Sequence, residues 1–97
     1  MGQSSSLPST TTVVAADDCL STTIDGETVI LDTQRGKYYG FNDVGTEVWD
    51  FLQQPHTVEE VVQQLMSSYD VTYDRCRSDV ESLLAELLEK QLVKTVE

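Results

Sequence analysis

The sequence predicts an α+β domain in which a three-stranded antiparallel sheet precedes three helices. Three observations carry this reading. Short β-prone runs separated by Gly-containing turns fill residues 20–41. From Asp43 onward the apolar residues recur at helical spacing. Strong helix starts and short polar breaks then divide the second half into three stretches.

Residues 20–24 form the first expected strand. Asp25-Gly26 follows, and a type I′ turn needs positive φ at both central positions, which this pair tolerates. Residues 28–32 are the second strand, with Val29, Ile30 and Leu31 as an apolar run that stops at Asp32. Thr33-Gln34-Arg35-Gly36 is turn chemistry, with Gly36 supplying the positive φ. Residues 37–41 are the third strand, favoured by Tyr38, Tyr39 and Phe41. Upstream, residues 10–16 are also β-prone and read equally as a further edge strand or an ordered arm.

Asn42 caps the first helix, expected over residues 43–53, and Asp43 suits its positive end. Val44, Val48, Phe51 and Leu52 make one stripe, with Trp49 beside it to close the core. Gly45 costs ~1 kcal/mol of helix propensity relative to Ala, which close approach to a strand would explain. Pro55 stops this helix. Thr57-Val58-Glu59-Glu60 is a capping box for the second helix, whose buried face is Val58, Val61, Val62, Leu65 and Met66. Tyr69-Asp70 ends it, and Thr72 caps the third. The third stripe is Cys76, Val80, Leu83, Leu84, Leu87 and Leu88, with Lys90 suited to the C-terminal dipole. Residues 92–96 close with a short extended segment. A hairpin wing and three helices make a winged helix-turn-helix-like arrangement with the wing first.

Ninety-seven residues make one domain. Residues 1–10, Ser-rich around Pro8, read as a disordered tail, leaving 11–97 as the folded unit. The start lacks a basic and apolar secretory signal, and no run approaches the ~20 apolar residues that span a bilayer. A soluble, cytoplasmic protein without membrane contact is expected. The formal net charge of −11, from 17 acidic and 6 basic residues, argues against nucleic acid. It fits ordinary solubility and a high-salt cytoplasm equally.

Cys19 and Cys76 are isolated thiols, read as small hydrophobes in a reducing compartment, with pairing as the alternative. His56 is the only histidine, so no metal site is expected. No Gly-x-Ser-x-Gly elbow and no Gly-rich phosphate loop occurs, and Glu59/Glu60 and Glu86/Glu89 read as solvated faces. The sequence therefore predicts no catalytic residue, no cofactor and no enzymatic activity.

The aromatic strand is the candidate for function. Tyr39 and Phe41 point to one face and Tyr38 to the other, and which face meets a partner is open. An uncovered aromatic edge strand is an aggregation hazard that an added peptide strand would remove.

The same segment carries a resemblance. ValIleLeuAsp at 29–32, Gly36, Tyr38-Tyr39-Gly40-Phe41-Asn42, Gly45, Val48-Trp49 and Phe51-Leu52 resemble the PqqD family, named for pyrroloquinoline quinone biosynthesis protein D. Residues 57–62 and Leu87, Leu92 and Val93 continue the pattern, which covers about residues 18–93. The family includes the RiPP recognition elements, which bind leader peptides of ribosomally made, modified peptides. The aromatic strand and the Asn-started helix look most like the standalone members from lasso-peptide clusters. The resemblance implies that a leader docks as a strand on the third strand, over a groove bounded by the third helix.

The expected peptide-binding residues are Arg35, Lys37, Tyr38, Tyr39, Gly40 and Phe41 on the strand side. On the helix side they are Arg75, Cys76, Arg77, Val80 and Leu84. Arg35, Lys37, Arg75 and Arg77 would form a basic rim that steers an acidic leader, or else ordinary solubilising charge. The expected partners are a precursor peptide and a separate modifying enzyme: a leader peptidase, a cyclase or a radical S-adenosylmethionine enzyme. A peptide chaperone for that last enzyme is the alternative. A winged-helix DNA-binding regulator fits poorly, because Asp79, Glu81, Glu86 and Glu89 share the third helix with Arg75, Arg77 and Lys90.

Overall fold

The computed structural model describes residues 7–96. In chain order the elements are β1 (Thr12–Ala15), β2 (Cys19–Ile24), β3 (Glu27–Asp32), β4 (Lys37–Phe41), α1 (Asp43–Phe51), β5 (His56–Thr57), α2 (Val58–Ser68), α3 (Tyr73–Glu89) and β6 (Val93–Val96). The tail expected over residues 1–10 lies outside the described residues up to position 6.

The predicted three-stranded antiparallel sheet is present as β2–β3–β4. Asp25 and Gly26 take φ of 53° and 83°, the left-handed pair that a type I′ turn requires. Gly36, at φ 67°, closes the second turn by donating its N–H to the Asp32 carbonyl at 2.8 Å. The buried Asp32 carboxylate accepts from the amides of Gln34 (3.0 Å) and Arg35 (3.2 Å). It thereby satisfies the donors that the turn leaves free.

A second antiparallel sheet, ordered β5–β1–β6, gathers short strands from distant parts of the chain. The β-prone stretch at 10–16 is neither an edge strand nor a free arm. Its core, β1, is the central strand, and Val13 is fully buried. The extended segment expected after α3 is β6, on the other side of β1. Gln91, at φ 61°, turns the chain out of α3, and the Leu92 amide reaches back to the Leu87 carbonyl at 2.9 Å.

The helices start where their caps place them. Asn42 accepts from the Gly45 amide at 2.8 Å. Thr57 and Glu60 exchange the two bonds of a capping box at 3.1 and 2.9 Å. Thr72 opens α3 by accepting from Arg75 N–H. The first helix ends at Phe51, two residues short of the expected Gln53. The three helices and both sheets share one core, with Val13, Ile30, Trp49, Leu52, Leu84 and Leu92 among its fully buried side chains. A Cβ at Gly45 would lie 3.4 Å from Phe41 Cβ, so the missing side chain lets α1 start tight against the end of β4. No helix among the described residues is long and apolar enough to cross a membrane.

The segment before β1 is held by hydrogen bonds. Thr11 and Ser9 carbonyls accept from the Val58 and Glu59 amides at 3.0 and 3.1 Å, filling two donor positions at the start of α2. Arg77 donates to the Leu7 carbonyl at 2.8 Å and to the Ser9 hydroxyl.

Candidate functional site

β4 is the terminal strand of its sheet, so one row of its backbone groups has no strand partner among the described residues. Pairing with β3 sets which way each side chain points. Tyr39 lies opposite the buried Ile30, and both Tyr39 and Phe41 pack on the core. Phe41 meets Trp49 edge to face, with ring centroids 6.1 Å apart. Tyr38 lies opposite Leu31 on the outer face and is 75% exposed.

Beside this strand edge runs α3. Between them lies a cleft of about 430 Å³, lined from β4 by Tyr38, Tyr39, Gly40 and Phe41, at the turn by Asn42 and Gly45, and from α3 by Leu83, Glu86, Leu87 and Lys90. A second recess of about 210 Å³ adds Val44, Leu65, Asp79 and Val80. It shares Asn42, Gly45 and Leu83 with the first, so the two form one continuous groove. Lys90 donates to Glu86 at 2.7 Å, and this carboxylate raises the Lys90 ammonium above its ordinary pKa.

Five of the expected residues line this groove: Tyr38, Tyr39, Gly40, Phe41 and Val80. Arg35, in the β3–β4 turn, and Lys37, at the start of β4, are exposed and outside its lining. Arg75 is exposed, 3.6 Å from Asp79, and lies on the groove side of α3 one turn before it. Cys76, Arg77 and Leu84 are placed elsewhere. The Cys76 thiol faces α2 and contacts the Val62 carbonyl at 3.6 Å. Leu84 is fully buried in the core. Arg77 is two residues from Arg75, a half-turn round the helix, and its guanidinium is taken up by Glu81, Leu7 and Ser9. The continuous basic rim therefore does not form. The groove's own cation is Lys90, among Glu86 and Asp79.

Sequence reasoning missed Asn42, Val44, Gly45, Leu65, Asp79, Leu83, Glu86, Leu87 and Lys90 as lining residues. Gly45 carried the one available signal, since its absent side chain already implied a close strand–helix approach. Among the described residues no three His, Cys, Asp or Glu side chains converge as metal ligands would. Cys19 and Cys76 are both free thiols, and burial raises the pKa of each.

The sequence profile of coenzyme PQQ synthesis protein D (PqqD) matches residues 27–93. The solved structure of TbiB1 in complex with the TbiA(beta) leader peptide is 30% identical, with a TM-score of 0.78, over 87% of this chain and 98% of that one. Lasso peptide synthetase B1 complexed with the leader peptide shares the fold at 24% identity and a TM-score of 0.75, over 84% and 96% of the two chains. So does the PqqD truncation of Methylobacterium extorquens PqqCD, a stand-alone RiPP recognition element, at 16% identity and a TM-score of 0.75, over 93% and 96%. No curated protein matches the chain. The profile spans most of the chain and holds both β4 and α3, and on that ground the chain belongs to the PqqD family.

Proposed function

We propose that this chain is a non-enzymatic recognition module. It captures the leader segment of a ribosomally made precursor peptide by strand addition to β4 and presents it to separate modifying enzymes. The observation that carries this reading is the juxtaposition of a strand edge that has no strand partner among the described residues with a groove of mixed polar and apolar lining along α3. Main-chain hydrogen bonds to the edge supply affinity whatever the side chains, and the groove selects alternate side chains of the added strand. Tyr39, Phe41, Leu83 and Leu87 give that groove its apolar surface. Strand and groove lie side by side, so an extended peptide engages both at once. Membership of the PqqD family and the leader peptide bound in the similar TbiB1 structure support leader binding by this chain.

Presentation needs no chemistry from the module. Holding the leader raises the effective concentration of the attached core peptide at an enzyme that binds the module. Such work belongs in the cytoplasm, where the precursor is made.

The test is amide shift mapping with the leader of a precursor peptide taken from the genome that encodes this chain. The largest changes are expected at residues 38–41 and 83–90. Changes confined to α2, or no saturable binding by fluorescence polarisation, would overturn the reading.

A further inference from the structure

Gly40 is a residue of β4 that the fold itself does not explain. It stands in the interior of an edge strand, where glycine weakens the strand and gives up side-chain packing. Conformation does not require it, since among the described glycines only Gly26 and Gly36 take positive φ. Packing does not require it either, since a Cβ built on Gly40 would meet nothing within 4 Å. Gly45, by contrast, is pressed by Phe41 and Asn42. A strand glycine with neither cause marks a place where a ligand comes close.

Strand alternation turns the Gly40 Cβ position to the outer face, with Tyr38. Gly40 borders a recess of about 510 Å³ at the end of the sheet. Gly26 and Glu27 line it from the β2–β3 hairpin, and Asp43 and Thr46 from the first turn of α1. Its charged lining residues are Glu27 and Asp43, and no Lys or Arg lines it. Gly40, Phe41 and Asn42 line both this recess and the groove along α3, so the end of β4 borders both hollows.

A strand added to β4 points its side chains alternately to the two faces. One set enters the groove along α3. The other points outward, and the member beside Gly40 finds open space where a larger residue of β4 would present its own side chain. A large side chain on a neighbouring strand covers a bare strand glycine of this kind.

We propose that Gly40 is a specificity-determining residue, and that the recess beside it takes a basic side chain of the leader, arginine or lysine. The inference rests on leader capture at β4. The long aliphatic stem lies over the bare glycine backbone, and the cationic head reaches the Glu27 and Asp43 carboxylates. An acidic side chain there meets two like charges, and a short one leaves the recess unfilled. The groove on the other face carries its own cation, Lys90, so the two faces of the leader strand are read with opposite charge preference.

The probe is the leader of a precursor peptide taken from the genome that encodes this chain, titrated by fluorescence polarisation. Gly40→Val fills the space with a β-branched side chain that a strand favours. It should bind the leader roughly tenfold more weakly, while its thermal midpoint holds or rises. Gly40→Ala, whose methyl meets open space, should show a smaller loss in the same direction, and it carries the test where the larger side chain impairs folding. An alanine scan of the leader against the native chain and Gly40→Val identifies the occupant. One arginine or lysine should matter several-fold in the native chain and not at all in the variant, the non-additivity of groups in contact. The double variant Glu27→Gln, Asp43→Asn should weaken leader binding at low salt and abolish the preference for that basic residue over methionine. Leader binding to Gly40→Val and Gly40→Ala as tight as to the native chain overturns the proposal. So does a scan in which the residue coupled to Gly40 is acidic or aromatic, or in which none is coupled, since the variant would then act on the strand backbone alone. A native chain that does not bind the leader removes the underlying reading instead. The two failures are separable, because the proposal is overturned only where native binding is intact.

Discussion

The Lys90 ammonium lies 5.9 Å from the centroid of the Tyr39 ring, while Glu86 holds it at 2.7 Å. The end of α3 is thereby placed over the middle of the edge strand, at the mouth of the groove. Lys90 is a cation in the groove lining, and charges at the rim of a binding site act mainly on the encounter rate. Lys90→Glu should slow association of an acidic leader several-fold at low salt, with little change in dissociation, as read by stopped-flow fluorescence. The difference should vanish at high salt, because the Debye length falls from ~10 Å at 0.1 M to ~3 Å at 1 M. An equal effect at both salt concentrations would mean that Lys90 acts by contact.

Arg77 has a different task. It closes over the segment before β1 through Leu7 and Ser9, and that segment supplies two carbonyls to the start of α2. Arg77→Ala should lower stability by on the order of 1 kcal/mol, the usual net worth of a hydrogen bond. Hydrogen exchange should accelerate at the Val58 and Glu59 amides. Leader affinity should not change, which separates this arginine from Lys90.

The contrast between these two residues shows what the sequence could and could not convey. Asp25-Gly26, the Asn42 cap and the Thr57–Glu60 box were legible because each is a bargain struck within four residues. The β5–β1–β6 sheet was not, because Val13 pairs with Thr95 and His56, and such short strands carry no local signature of distant partners. In the groove, strand alternation alone separates Tyr38 from Tyr39 and Phe41. Of the five α3 residues expected at the groove, only Val80 lines it. Apolar periodicity marks the buried stripe, but not which stretch of it passes β4. Arg75 and Arg77 looked like neighbours in the sequence, yet stand on opposite sides of the helix.

Both thiols should be slow nucleophiles in the native protein. Burial raises the Cys76 pKa, with the Asp79 charge adding to it. Burial also raises Cys19, helped by the charges of Asp32 and Asp18. The reactive thiolate is therefore scarce at neutral pH. A disulfide reagent should modify the partly exposed Cys19 first and Cys76 only on opening, and both rapidly in denaturant. Immediate modification of two thiols in the native chain would contradict the burial of Cys76.

Acid should weaken the α2 end of the domain first. Hydrogen bonds from the Thr57 amide and from His56 lower the Glu60 pKa, and those from Tyr73 and Gln63 lower Glu59, both below the ordinary 4.5. A carboxylate depressed on folding stabilises fully above its unfolded pKa, and that contribution is lost as pH falls through the folded value. Urea midpoints should thus decline below about pH 4.5. Glu60→Gln and Tyr73→Phe should each flatten that decline and lower the plateau above it. Unchanged slopes in both variants would move the acid-sensitive groups elsewhere.

Trp49 gives the groove an internal reporter. It is the sole tryptophan, it is buried, and its ring meets the edge of Phe41, which lines the groove from the other side. Its indole Nε1 has no hydrogen-bond partner among the described residues, so its surroundings are set by packing alone. A peptide side chain seated against Phe41 is one ring away and should shift that packing. Tryptophan emission should therefore change on titration with leader, saturate at one peptide per chain and follow the polarisation curve. Phe41→Leu should shrink the signal and weaken binding by roughly 1 kcal/mol through lost aromatic contact. Tyr38→Ser should leave the signal's size unchanged, because Tyr38 points to the opposite face of the sheet. A saturable polarisation change with constant tryptophan emission in the native chain would place the peptide away from Phe41, and strand addition along the groove would be untenable.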